Sequence, residues 1–181
     1  PYRLPLNDKQ VFNFFASGDL ENIFSFEKSL LKPILSQFKP NSIYDLSIIR
    51  TIYSPGLWQY IPIIIRNKFN FEERFCSSDI RVSKILKETY GFLIYQETFL
   101  HILKEISGIS FADSALWLKI IMRDNNNTET DAFSSIFANG CREHSSLNEV
   151  EIASLTQMIT VMSRLTFQKS HSLSYSIVGY W

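Results

Sequence analysis

Apolar residues recur at three- and four-residue intervals along most of this chain, and a capping residue or a Gly/Pro breaker interrupts them at short intervals. That pattern suits helices packed on helices. Asn7 or Asp8 caps a short helix through Val11, Phe14 and Phe15 that Gly18 ends. The apolar run Ile23, Phe24, Phe26 is ambiguous. Glu27 then opens a helix through Leu30, Leu31, Ile34, Leu35 and Phe38, with Pro33 near its first turns. Ser42 caps a helix over residues 43–53, with Asp45 as a capping-box partner, and Ser54-Pro55-Gly56 stops it. Residues 57–65 are densely apolar and are assigned as helix, residues 66–79 as a polar loop. Helices follow over 80–88 and 96–107, from Ser110 to Met122, from Thr128 to Gly140, and from Asn148 or Ser145 to Leu165. In the last stretch Leu173, Ile177 and Trp181 fall four apart on one helical face. The expectation is a mainly α fold of eight to ten helices with short connections.

At 181 residues the chain suits one domain or a large subdomain, over residues 1–181. Lys plus Arg and Asp plus Glu number 18 each, so the net charge of zero argues against gripping nucleic acid by bulk charge. A local basic face stays open. Cys76 and Cys141 form no CxxC pair. A reduced intracellular setting is the simplest reading, and a single disulfide is the other. There is no apolar run of membrane-spanning length and no signal-like start. A chain that opens on Pro1 and closes on Trp181 within a helical pattern reads as part of something longer, and a cytoplasmic one.

No general catalytic constellation stands out: no P-loop, GxSxG, HExxH or paired aspartates for two metals. Glu72-Glu73 reads as a solvated pair and Asp124 sits beside asparagines. His101 lacks a second ligand at metal spacing and reads as a surface histidine. Cations do lie beside loops and helix ends: Arg66, Lys68, Lys119, Arg123, Lys169 and His171. Such groups supply charge-assisted donors to a triphosphate or a DNA backbone, and each also reads as ordinary solubilising charge. Lys169, Ser170 and His171 open the last helix, where unpaired N–H groups and the helix dipole favour an anion; a Ser170 hydroxyl capping a surface helix is the plainer alternative.

Several segments, in order, resemble the alpha subunit of bacterial DNA polymerase III. Ile23 to Glu27 resembles (V/I)FQFE, Phe38-Lys39-Pro40 with Tyr44-Asp45-Leu46 resembles LKPxxFEDL, and Tyr53 to Gly56 resembles the YRPGP turn. Ile65 to Lys68 resembles IxRKHG, and Ile85 to Glu97 is similar to ILKETYGxxxYQE almost letter for letter. Ser107-Gly108 with Phe111 and Asp113 resembles SGYSLxxAD, and Phe167 to Tyr175 resembles FNKSH-AAY.

The resemblance implies the fingers of a C-family replicative polymerase, which hold the incoming deoxynucleoside triphosphate and the template. It implies triphosphate contacts at Lys119, Arg123 and Lys169, with Ser170 and His171 as supporting donors, and DNA backbone at Arg66 and Lys68. It implies Mg²⁺ held by palm aspartates outside this chain, and DNA, dNTP, the other polymerase domains and replisome subunits as partners. Three positions depart from the family pattern. Ser54 and Leu118 stand where the family has arginine, and Met122 where it has glycine. The losses at Ser54 and Leu118 favour the alternative, a catalytically retired fingers-like module that binds DNA or a replication protein, and the zero net charge fits it too.

Overall fold

A computed structural model describes residues 5–74, 77–124 and 127–181, with the side chains of 71–74 left out. Among these residues it is built from ten α-helices and two short 3₁₀ turns, with no strand element, as the mainly α reading expects. The chain forms two compact units. One comprises Pro1–Phe69 and Phe167–Trp181, the other Asn70–Thr166.

The first unit holds α1 (Lys9–Ser17), α2 (Leu31–Phe38), α3 (Ile43–Ile52), the start of α4 (Ile61–Arg74) and α10 (Lys169–Tyr180). Asp8 caps α1 by accepting the Gln10 N–H at 2.8 Å, and Gly18 ends it. Ser42 Oγ accepts the Asp45 N–H at 3.1 Å and starts α3. Asp45 does not complete a capping box, because its Oδ2 accepts from Asn41 N–H at 2.8 Å. α1 packs on α2 and α10 on α3, around Phe12, Phe15, Phe26, Leu35, Phe38, Ile49 and Ile64. Glu27 does not open a helix: α2 begins at Leu31, which puts Pro33 in the first turn, where its missing N–H costs nothing.

The loop expected over 66–79 is overturned. A 3₁₀ turn (Trp58–Tyr60) leads into α4, which runs on to Arg74 with a kink at Asn70 (φ −137°, ψ 31°). Its apolar stripe is continued past Ile64 by Lys68, four residues on, which is buried as an ion pair and so carries no hydrophobic signal.

The second unit contains α5 (Ile80–Lys87), α6 (Gln96–Ser107), α7 (Phe111–Arg123), α8 (Thr128–His144) and α9 (Glu149–Met162), closed by a 3₁₀ turn at Ser163–Leu165. α6 lies at its centre, against α5, α7 and α8, with Phe99, Ile102, Leu103 and Ile106 fully buried. Asn148 and Glu151 form a complete capping box at the start of α9. Gly140 does not end α8 as expected; the helix runs four residues further. A Cβ placed at Gly140 would sit 2.3 Å from the Ser107 carbonyl oxygen, so the glycine permits α8 to touch the end of α6. Thr128 is not the cap of α8 either. Asn127 takes that place in a left-handed conformation, while Asp124 Oδ2 accepts the Thr130 N–H and hydroxyl, both at 2.8 Å.

Asp79 ties three elements of this unit together. It caps α5, accepts from the Arg81 guanidinium and takes the Ser146 N–H at 3.2 Å, while Arg81 also donates to the Glu105 and His144 carbonyls. Hydrogen bonding from Arg81 holds the Asp79 carboxyl far below the usual carboxylate range. A carboxyl depressed in the folded state stabilises fully above its unfolded value of about 3.9, and that contribution is lost as pH falls toward the folded value. Asp79→Asn is therefore expected to lower the melting temperature at pH 7 by about 3–6 °C. The gap from wild type should narrow below about pH 4. A gap that stays constant from pH 7 to pH 2 in thermal melts would show that charge is not its source.

Candidate functional site

α10 is seated by small polar residues. Its buried residues are Ser172, Ser176, Gly179 and Tyr180, and the expected face of Leu173, Ile177 and Trp181 is not the buried one: Leu173 and Ile177 are half-buried and Trp181 is exposed. Ser172 Oγ donates to the Ser47 carbonyl at 2.8 Å and lies 2.8 Å from the Thr51 hydroxyl. Ser176 Oγ donates back to the Ser172 carbonyl. At Gly179 an added Cβ would fall 2.8 Å from the Phe24 carbonyl oxygen, so the backbones meet directly. The Tyr180 hydroxyl accepts the Asp8 N–H at 2.8 Å and its ring packs on Phe12. Buried hydroxyls with partners on both helices fix register as well as distance.

This seating sets the opposite end of α10. Gln168 is the N-cap, makes no side-chain cap bond, and no acidic residue stands in the first turn. Ser170 is at the second helical position, not at the cap, so the expected Ser170 cap does not form. The first-turn N–H groups and the positive end of the dipole lie here, where anions are favoured. Lys169 is half-buried with its ammonium 5.6 Å from the Tyr44 ring centroid, and Ser170 is exposed. His171 is stacked on Tyr175 (4.4 Å, 20°) and meets Phe167 edge-on at 5.1 Å.

One residue of this cluster is not singled out by sequence pattern. Arg50, on α3, lies with its guanidinium carbon 4.5 Å from the Tyr175 ring centroid and 5.4 Å from that of Phe167. Its Nε donates to Ser25 Oγ at 3.1 Å. Burial pulls the Arg50 pKa below its ordinary value, opposed in part by Tyr175. The signal available was a single cation inside the apolar run Ile48-Ile49-Arg50-Thr51-Ile52.

Among the other expected residues, Arg66 is exposed on α4. Lys68 is not. Its ammonium is bonded to Asp45 Oδ2, with the two side chains 5% and 1% exposed, and it lies 4.5 Å from the Phe38 ring centroid. Desolvation lowers the Lys68 pKa, with the Asp45 hydrogen bond and charge acting against it. Lys119 and Arg123 belong to the second unit, exposed and one turn apart at the end of α7, where a cation also suits the helix dipole. Leu118 beside them is 6% exposed and faces the core, so its apolar character answers to packing. Met122 is exposed.

Carboxylates are placed otherwise. Asp45 and Asp79, both buried, are each paired with a cation. Among the described residues no group of three His, Cys, Asp or Glu side chains could hold a metal ion. His101 is exposed against Phe111. Cys141 is buried and free, its thiol pushed up to about 12 chiefly by burial, while Cys76 lies outside the described residues. No helix among the described residues is long and apolar enough to cross a membrane.

Residues 1–145 match the family described as bacterial DNA polymerase III alpha subunit finger domain, and the chain belongs to that family. It is similar across nearly its whole length to DNA polymerase III alpha subunits. That of Borreliella burgdorferi is 31% identical over 179 residues, covering 98% of this chain and 15% of that protein. That of Mycoplasma pneumoniae is 29% identical, covering 99% and 20%. That of Thermus aquaticus is 28% identical, covering 98% and 15%. The chain thus spans about a fifth or less of the length of these relatives.

Proposed function

We propose that this finger domain works as the substrate-positioning part of a replicative DNA polymerase, holding the incoming deoxynucleoside triphosphate and the primer–template. The bond-making centre, with its Mg²⁺, would be supplied by side chains beyond these residues. The observation that carries this reading is the first turn of α10, which Lys169, Ser170 and His171 open and in which no acidic residue of the helix stands. Positive charge fixed before the ligand arrives stabilises a polyphosphate without reorganisation. Lys119 and Arg123 are a second pair of exposed cations for triphosphate, and exposed Arg66 is the residue assigned to a DNA backbone. Lys68 is withdrawn from that role by its buried bond to Asp45. The core-facing position of Leu118 removes one motive for regarding the domain as retired. DNA, dNTP, the remaining polymerase domains and other replisome subunits are the partners this reading requires.

The test is titration of the full-length protein carrying this chain with a fluorescent dNTP and with labelled primer–template. Lys169→Ala is expected to weaken dNTP binding about tenfold, the loss of one charge-assisted contact of about 1.4 kcal/mol. Lys119→Ala should act in the same direction. Nucleotide affinity indifferent to both changes would remove this reading and point to a retired module.

A further inference from the structure

We infer that Arg50 is a further phosphate-binding residue, whose two terminal nitrogens form a preset fork beside the first turn of α10. The inference rests on the substrate-positioning reading above and adds to it a residue that no sequence motif marks. The guanidinium is fixed on three sides. The Tyr175 ring lies 4.5 Å away, the Phe167 ring 5.4 Å away, and Ser25 Oγ accepts from Nε. The two rings are themselves held, since His171 stacks on Tyr175 and meets the edge of Phe167, and Phe24 packs on Tyr175 at 5.2 Å. A planar cation clamped this way has already lost its rotamer freedom, so a ligand need not order it.

What remains unused is the fork. Among the described residues neither terminal nitrogen of Arg50 has a hydrogen-bond partner, and no carboxylate lies within ion-pair distance. The nearest acid along α3, Asp45, is committed to Lys68. A half-buried guanidinium without a counter-ion is unusual, because burial disfavours its charge, as the lowered pKa reflects. Two parallel N–H donors match the oxygens of a phosphate or carboxylate. The neighbouring groups are His171, which stacks on the same Tyr175 ring, and the first turn of α10, which carries no acidic residue and whose dipole end favours the more highly charged of the two. Phosphate is the chemistry. It comes either from a nucleoside triphosphate or from a nucleic-acid backbone.

The experiment uses the full-length protein carrying this chain, with Arg50→Gln and Arg50→Lys beside wild type. Probes are a fluorescent deoxynucleoside triphosphate, the matching deoxynucleoside, and labelled primer–template over a range of salt. If the fork takes the triphosphate, Arg50→Gln weakens the triphosphate about five- to twentyfold and leaves the nucleoside unchanged. If it takes the backbone, primer–template weakens by a similar factor and the salt slope falls by about one. In either case Arg50→Lys recovers only part of the loss, since an ammonium keeps the charge without the fork. Affinities within twofold of wild type for both phosphate ligands would overturn the inference. So would full recovery by Arg50→Lys. Should Lys169→Ala weaken nucleotide while Arg50→Gln does not, the inference fails and the reading of the domain stands. Should wild type bind neither phosphate ligand, both fall.

Discussion

Asp45→Ala is expected to destabilise the first unit by about 3–5 kcal/mol, in the range for removing one partner of a buried ion pair. The partner left behind is Lys68, whose side chain is 5% exposed and whose ammonium also lies 4.5 Å from the Phe38 ring centroid. The Asn41 N–H loses its acceptor in the same stroke. Desolvation already disfavours the charged Lys68, so the variant should respond by releasing that proton or by swinging the chain into water. The deficit should therefore shrink as pH rises toward the ordinary lysine range of about 10. Two charges removed together leave no unpaired charge, though the Asn41 N–H still lacks its acceptor, and Asp45→Leu with Lys68→Met is expected to recover most of the loss. Urea denaturation of the single and double variants measures this. A single variant within about 1 kcal/mol of wild type would show that the pair is not buried as described.

Gly140→Ala is the second large effect, expected at about 2–3 kcal/mol of lost stability. On helix propensity alone the change should help by nearly 1 kcal/mol, since Gly140 lies inside α8. Geometry reverses the sign. The new methyl would lie 2.3 Å from the Ser107 carbonyl oxygen and 2.9 Å from Ser107 Cβ. The first of these is backbone and cannot rotate aside, so α8 has to move off the end of α6. Removing the Ser107 side chain should not rescue the variant, because the carbonyl stays. Thermal melts of Gly140→Ala with and without Ser107→Gly decide it. An alanine variant as stable as wild type would refute the close approach.

Much of the helical plan was legible because its punctuation is local. Asp8, Ser42, Ser110 and Asn148 cap helices where their side-chain chemistry says they should. What pattern reading lost was decided by tertiary contact. Gly140 looks like a stop signal in sequence, yet its role is to let two backbones touch. Lys68 looks like a solvated cation and ended the apparent helix at 65, whereas its bond to Asp45 makes it an interior residue. In α10 hydrophobicity pointed to the wrong face. The paired hydroxyls of Ser172 and Thr51, bonded at the Ser47 carbonyl, bury a stripe that no apolar count detects. The cationic opening of α10 was visible as Lys169, Ser170 and His171, but Arg50 was hidden because it lies 119 residues before Lys169 in sequence.

That separation also sets an order of assembly. The unit that carries the α10 site is made from two pieces of chain, and the whole of the other unit lies between them. On a ribosome the N-terminal piece emerges first, with the Ser47 carbonyl and Thr51 hydroxyl of α3 still waiting for Ser172. The first turn of α10 therefore takes its seat only after the intervening helices have been synthesised, so the unit whose chain begins first is completed last.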